Sequence, residues 1–544
     1  MPSTLLLALV ALVAAGATYI YLYIGSRAPN LPPGPPTLPL LGNLHQLPTK
    51  GAHFQFTKWA REYGGLYTLK LGTGTAVVIT SPRLVKELVD KKGAKYAARP
   101  SSYVARLISG GDHILLMEYG AQWRETRKLL HGTFAEKAVE ERFLGLQEAE
   151  ARVMVRGYLL EPEQHMLHPK RFANSVIMSI VWGVRTPTAR TGHMHRLYAL
   201  MEIWSKVMET GATPPVDIYP FLHYLPQRLF LHWRDRATHV RRQMNSLYSA
   251  FLRDLRARRA ATGSRGAFMD RVLDQAEANA DSIRPEALTY SDHELAFLGG
   301  TLTEGGSDTS ASIITAFVHA MTAHPAVQRK AQAQIDAVIG ADRSPQWRDY
   351  AALPYVAQCV KETMRWRPVT PLAFPHALAE DDWVDGQFFL PKGTVVIVNA
   401  WGLQHDPARF AQPEDFDPEH FAGCTELATE LANGSWQKRD HYGYGAGRRF
   451  CPGAHLAERN LFLAVAKLLW AFDIVPGKDA EGRVVRPDLD PATGYCEGFL
   501  VCARDFPAEF RVRGAERRET ILGEVGEAER ELFARYAAGG DEVA

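Results

Sequence analysis

The chain has 544 residues, 46% of them hydrophobic and 22% charged, an ordinary globular composition with ample length for a large core. A formal charge of +2 argues against nucleic-acid binding by net charge. Five cysteines, Cys359, Cys424, Cys451, Cys496 and Cys502, are too few and odd in number for a disulfide framework, which fits a reducing compartment.

The run from Thr4 to Ile24 carries no charge and is long enough to cross a bilayer as one helix. Tyr19, Tyr21 and Tyr23 would sit near one interface, and Arg27 follows. A cleaved signal peptide is the competing reading, with Ala15-Gly16-Ala17 as a small-residue cleavage site. No Lys or Arg precedes the run, however, and it is long for a signal, so residues 1–28 are read as a membrane anchor. Arg27 as the nearest charge puts the body on the cytosolic side. Leu31-Pro32-Pro33-Gly34-Pro35-Pro36 then stiffens the chain. Residues 29–44 are read as a semi-rigid hinge, against a disordered linker or a ligand for a proline-binding domain. No later stretch reads as an interdomain linker, so 45–513 is taken as one large domain.

Leu66–Leu71 and Ala76–Thr80 around Gly72-Thr73-Gly74 predict a hairpin, and a helical pattern begins at Pro82. Ser101 to Gly120 has no clean period and is expected to be a long loop. Trp123 and Arg127 lie one turn apart on the helix that follows, as a carboxylate clamp or a surface cation–π pair. Phe134 to about Arg259 is mostly helical, interrupted by the apolar, aromatic segment 213–226. Ser291-Asp292-His293-Glu294 is a capping box that starts a helix running toward His319. Its middle holds Gly299, Gly300, Gly305 and Gly306, each costing about 1 kcal/mol relative to Ala. Either this helix packs very closely on a neighbour, or it opens to admit something. Asp308 and Thr309 set an acid beside an alcohol there, with Gly305 one turn from Thr309 on the same face. The Thr309 hydroxyl bonding back to a helix carbonyl is the plain alternative.

Glu362 and Arg365 stand at i and i+3 on a helix, a spacing that suits an ordinary surface ion pair. The prolines of Pro368–Pro375 rule out a helix before His376, and Phe388–Leu390 and Thr394–Asn399 read as strands. Tyr444-Gly-Ala-Gly-Arg-Arg-Phe-Cys451-Pro-Gly453 then sets one thiol at the end of a glycine-rich loop, just ahead of a helix. The helix N-terminus, Arg448 and Arg449 should all favour thiolate. The loop lacks the second ligand of a zinc knuckle and the Cys-x-x-Cys-His of covalent haem attachment. Gly494 to Cys502 reads as a closing hairpin, and residues 514–544 as a charged, amphipathic, helical tail without an assignable role.

The loop around Cys451 resembles the cysteine loop of the cytochrome P-450 family, whose thiolate is the axial ligand of haem iron. Four further stretches resemble that family in its order: the proline hinge, Trp123-x-x-x-Arg127, Gly305-Gly306-Ser307-Asp308-Thr309-Ser310, and Glu362-x-x-Arg365. The resemblance covers nearly the whole chain except the last thirty or so residues, and is closest to membrane-bound, fungal biosynthetic members. It implies a mainly α fold with a smaller β region, and haem b held by Cys451. Trp123, Arg127, His376 and Arg449 would meet the haem, and Gly305, where Ala is more usual, would leave room beside the iron. Asp308 and Thr309 would deliver protons. Glu362 and Arg365 would be a buried brace for the cysteine loop, with His420 where the family has Arg, which puts the third contact in question.

The implied function is a haem-thiolate monooxygenase acting with O2 on a lipophilic small molecule. Electrons would come from a separate NADPH-cytochrome P-450 reductase docking near Arg448. The implied location is the endoplasmic reticulum membrane, single-pass, with the catalytic domain cytosolic and no nucleic-acid partner. A haem-thiolate isomerase or dehydratase that does not use O2, and a non-catalytic haem sensor or electron carrier, are the other readings.

Overall fold

The computed structural model describes residues 2–209, 211–280, 290–498 and 500–538. At its centre helices pack on one another, some buried on nearly every side and some amphipathic with one buried face. The long helix Asp292–Ala323 lies against His168–Trp182 and Trp233–Thr262, and touches Ala454–Ala471. Ala454–Ala471 is buried almost throughout, from Leu461 to Ala471 without interruption. Leu144–Leu160 packs between it and His168–Trp182. The β content is small. Leu66–Leu71 and Gly74–Ile79 pair antiparallel, Gly74–Ile79 runs parallel to Val395–Val398, and His376–Ala377 closes that sheet antiparallel to Val395–Val398. The mainly α architecture with a smaller β region is as expected.

The capping box forms as the sequence predicts: the Ser291 hydroxyl accepts from the Glu294 amide, and the Glu294 carboxylate accepts from the Ser291 amide at 2.7 Å. The helix it starts is continuous over 32 residues, through all four glycines. The glycines divide between the two explanations. A Cβ on Gly299 would stand 2.2 Å from Trp182, one on Gly300 2.3 Å from Tyr248, and one on Gly306 2.5 Å from Ile177. These three let neighbouring side chains press onto helix backbone. Gly305 alone faces open space, with nothing within 4 Å of a Cβ.

Two other expectations change. Within Ser101–Gly120, Tyr103–Ser109 is a helix, capped by the Ser102 hydroxyl and ended by Gly110 in the left-handed region. Val104, Ala105 and Ile108 give it a buried face too short to show as a period. The proline hinge is a docked strap rather than a free spacer. The Thr68 amide donates to the Pro33 carbonyl at 2.7 Å, and the buried Asn43 side chain binds the Pro35 and Pro36 carbonyls and the Lys70 amide. Gly42 lies so close to the hairpin that a Cβ would sit 2.3 Å from the Lys70 carbonyl oxygen. Ahead of it, the helix Pro2–Tyr23 contains one segment, Leu5–Tyr23, apolar and long enough to cross a membrane.

The expected tail is a docked helix, Ala515–Glu531, and residues 539–544 lie outside the described residues. Val525, Ala528 and Phe533 close over Ala149 and Val153 of Leu144–Leu160. Glu524 accepts from the Ser344 amide and hydroxyl, and the fully buried Lys467 ammonium donates to that same hydroxyl. Burial lowers the Lys467 pKa to about 8, with Glu524 the main charge opposing it. Val525→Ala is expected to cost about 2 kcal/mol by opening a cavity in this interface. Thermal or urea unfolding measures it, and a change under about 0.5 kcal/mol would mean the helix only rests on the surface.

Candidate active site

The cysteine loop is held by close backbone contacts. Gly445 and Gly447 take φ of +73° and +61°, and a Cβ on Gly447 would stand 2.1 Å from the Val89 carbonyl oxygen. Glycine is required there on both counts. The Gly447 amide donates to Asp90 at 2.7 Å, and the Cys451 amide to the Tyr444 carbonyl at 2.8 Å. Burial pushes the half-buried Cys451 thiol up, and the Gly453 amide and Arg127 oppose that shift without reversing it. The helix end thus favours thiolate as expected, but the arginine that Cys451 feels is Arg127 rather than Arg448 or Arg449, and burial outweighs both effects. A bound metal cation supplies what they do not, because a coordinating thiol gives up its proton.

Beside the loop lie three guanidinium groups and one imidazole without acids. Arg99 donates to the Leu115, Phe374 and Pro375 carbonyls at 2.7–2.9 Å. Arg449 donates to the Ala97 and Met117 carbonyls at 2.8 Å, and its guanidinium lies 4.2 Å above the Trp123 ring. Arg127 donates to the Phe450 carbonyl, next to Cys451. His376 bonds the Tyr96 carbonyl through Nδ1 at 2.7 Å. Burial lowers the Arg99 pKa to about 10, that of Arg449 to about 9 and that of His376 to about 3. Arg99 and Arg127 further depress Arg449, while Arg99 and Arg449 further depress His376, so these groups feel one another. No carboxylate among the described residues pairs with any of the four. Trp123 and Arg127 thus share this region, with Trp123 packed under Arg449. Arg99 was missed in the sequence. Tyr96-Ala-Ala-Arg99-Pro gives no periodic signal, and its partners come from far along the chain.

On the long helix, Gly305 is exposed amid buried neighbours. The Thr309 hydroxyl donates to the Gly305 carbonyl at 2.7 Å, the plain alternative raised by the sequence. Its proton is engaged in the helix, and its oxygen keeps lone pairs to accept with. Burial raises the Asp308 carboxyl pKa, and Lys170 opposes the shift.

A second buried acid on this helix went unread. Glu304 bonds His113 Nε2 at 3.0 Å and accepts from the Tyr248 hydroxyl. His113 stacks on Trp204 with ring centroids 5.9 Å apart. The cluster pins segment 101–120 to the long helix. Its partners are too distant in sequence to have been inferred from spacing.

The Glu362–Arg365 pair is fully buried, not a surface pair. Arg365 Nε and Nη2 each lie 2.7 Å from a Glu362 carboxylate oxygen. His420 Nδ1 makes the third contact at 3.2 Å, so imidazole reaches where the shorter side chain had left the contact in question. Arg365 also donates to the Gln404 carbonyl, and the Gln404 side chain accepts from the Tyr442 amide, two residues before the cysteine loop begins.

Buried and half-buried arginines that face no acid call for an anion, and the free thiol of Cys451 beside Arg127 can ligate a metal. The class defined is a haem-binding oxidoreductase. The chain belongs to the cytochrome P450 family, whose sequence model matches residues 32–487. It is 50% identical over 539 residues to cytochrome P450 monooxygenase patH of Aspergillus clavatus, covering 99% of this chain and 100% of the relative. It is also 50% identical over 545 residues to cytochrome P450 monooxygenase yanC of Aspergillus niger, covering 98% and 100%. The patH protein of Penicillium expansum is 51% identical over 522 residues, covering 96% of each chain. The protein is a monooxygenase whose cofactor is haem b, bound through a cysteine thiolate.

Gly305→Ala should leave thermal stability within about 0.5 kcal/mol of the parent, whereas Gly306→Ala should cost about 1–3 kcal/mol by overpacking against Ile177. Equal losses in unfolding experiments would contradict this division of the glycines. Glu362 raises the His420 pKa above its ordinary 6.5. The stability gained from charged His420 is full below that ordinary value and is lost as pH rises through the raised one. Replacing it with Asn should flatten the decline of stability above about pH 6.5, the ordinary histidine value. An unchanged pH slope would show that His420 stays neutral.

Proposed function

We propose that this chain is a membrane-anchored haem-thiolate monooxygenase that inserts one oxygen atom from O2 into a lipophilic small molecule. Its place would be in secondary-metabolite biosynthesis, with electrons from a separate NADPH-cytochrome P450 reductase. The observation that carries the cofactor site is the acid-free cradle of Arg99, Arg127, Arg449 and His376 beside Cys451. Two propionates would neutralise it. Cys451 would hold the iron, Trp123 and Arg127 would flank the macrocycle edge, and Gly305 would leave space on the opposite face. When bound, haem supplies oxygen activation and O–O bond cleavage.

The side chains of the long helix manage protons. Asp308, buried beside Lys170 and held above the usual carboxylate range, can take a proton from the outer side and hold it. Thr309 Oγ1 can accept a hydrogen bond on the open face while its own proton stays on the Gly305 carbonyl. The His113–Glu304–Tyr248 cluster keeps segment 101–120 closed down, which excludes water from that face. The Glu362–Arg365–His420 brace holds the loop that presents Cys451.

Membrane attachment rests on the helix Leu5–Tyr23 and on a second apolar surface. Phe221, Tyr224, Leu229 and Leu231 are exposed in the segment joining the helices Gly192–Met208 and Trp233–Thr262, with Tyr224 at 90%. The Tyr219 hydroxyl ties this segment to the Leu40 carbonyl at 2.8 Å, beside exposed Leu38, Leu40 and Leu41. An apolar face of this extent, contiguous with the strap, fits a body leaning on lipid. Arg27 and the positive-inside rule support a cytosolic body, and the endoplasmic reticulum is the membrane proposed. The exposed Arg448 belongs to the surface proposed for the reductase.

Cys451→Ser should abolish the red-shifted Soret band of the reduced carbon monoxide complex, and retention of that band would reject the ligand assignment. Thr309→Ala should keep haem but divert reducing equivalents to hydrogen peroxide. Unchanged coupling of NADPH use to product would remove Thr309 from proton delivery.

A further inference from the structure

Cys496 and Cys502 are brought together by the hairpin. Tyr495–Cys496 and Cys502–Ala503 are antiparallel, with Cys496 directly opposite Cys502. Directly opposite residues in such a pair hold their Cα atoms about 4.5–5.5 Å apart, within the span of a disulfide. Both cysteines are free and half-buried, and their sulfurs lie 3.1 Å apart. Cys359, by contrast, is sealed in the core.

The hairpin is placed where its rigidity matters. Cys502-Ala503 packs on the long helix, and Cys502 lies near enough to Asp308 to feel its charge. The Val501 amide donates to the Val369 carbonyl at 2.8 Å. Glu497 accepts from the Gly51 amide at 2.5 Å and meets His53 Nδ1 at 3.0 Å. Gly498 is pressed on Ser205, whose hydroxyl would stand 2.1 Å from a Cβ there. The turn therefore joins the strap side of the body, the helix Gly192–Met208 and the segment after Arg367.

We propose that Cys496 and Cys502 are a reversible dithiol–disulfide couple, oxidised by peroxide, that fastens this hairpin beside the long helix. The Cys496 sulfur attacks one oxygen of hydrogen peroxide. An S–O bond forms, the O–O bond breaks, and the departing hydroxide takes up the thiol proton and leaves as water. The Cys502 sulfur then attacks the Cys496 sulfur. The S–S bond forms, the S–O bond breaks, and a second water leaves with the Cys502 proton. Two thiols thus give two electrons to one peroxide, and a dithiol reductant reverses the change. Cys496 attacks first: its contact with the Cys502 sulfur, aided by Arg504, lowers its pKa, while the same contact raises that of Cys502.

The test uses the full-length, haem-loaded protein, treated with equimolar hydrogen peroxide, alkylated and digested. The peptide holding both cysteines should become two hydrogens lighter and resist alkylation, and dithiothreitol should restore it. Cys502→Ser should stop the reaction at a sulfenic acid on Cys496, trapped by dimedone, and Cys496→Ser should leave Cys502 a free thiol. Amide exchange across 496–502 should slow in the oxidised protein. Alkylation of both thiols to the same extent as Cys424 after peroxide would overturn the couple. Unchanged exchange in the bridged form would overturn the fastening.

Discussion

Positive charge held away from water without a matching acid is the constraint on which the site is built. Arg99 weakens the protonation of Arg449, and both weaken that of His376, while among the described residues their hydrogen bonds go to backbone carbonyls. Desolvating a cation in this way is costly unless an anion answers it. The cofactor of the family brings that anion, so apoprotein and holoprotein differ in electrostatic strain as well as in content. The same logic governs Cys451, whose thiol pKa burial raises and a coordinated metal would lower.

The brace behind the loop answers the opposite problem. Glu362 and Arg365 are both at 0% exposure, yet each has its charge matched and its remaining polar atoms bonded to backbone. A fully satisfied network of this kind rigidifies what it touches. Through Gln404 and Tyr442 it touches the chain just ahead of the cysteine loop. His420 shows that the third position can be filled by an imidazole when the backbone brings it within 3.2 Å.

The sequence made local features legible. The capping box at Ser291, the hairpin Leu66–Ile79 and the glycine loop at Cys451 each carry their signal within a few residues. Long-range features were not legible. Glu304 meets His113 across 191 residues and Tyr248 across 56, and neither spacing leaves a trace in a periodic pattern. Arg99 lacked a motif of its own, and the C-terminal helix looked like a tail because its apolar face is narrow. The four glycines were recognised as needing a reason, but only packing separated Gly305 from the other three.

The docked strap has a consequence for how the molecule meets its surroundings. Gly25, at φ +86°, turns the chain from the N-terminal helix close against the Leu38 and Gly42 backbone, and the Leu40 amide donates back to the Ile24 carbonyl at 2.8 Å. A tether that stiff removes swivel. Wherever the first helix lies, these contacts restrict the attitudes at which the body can stand beside it.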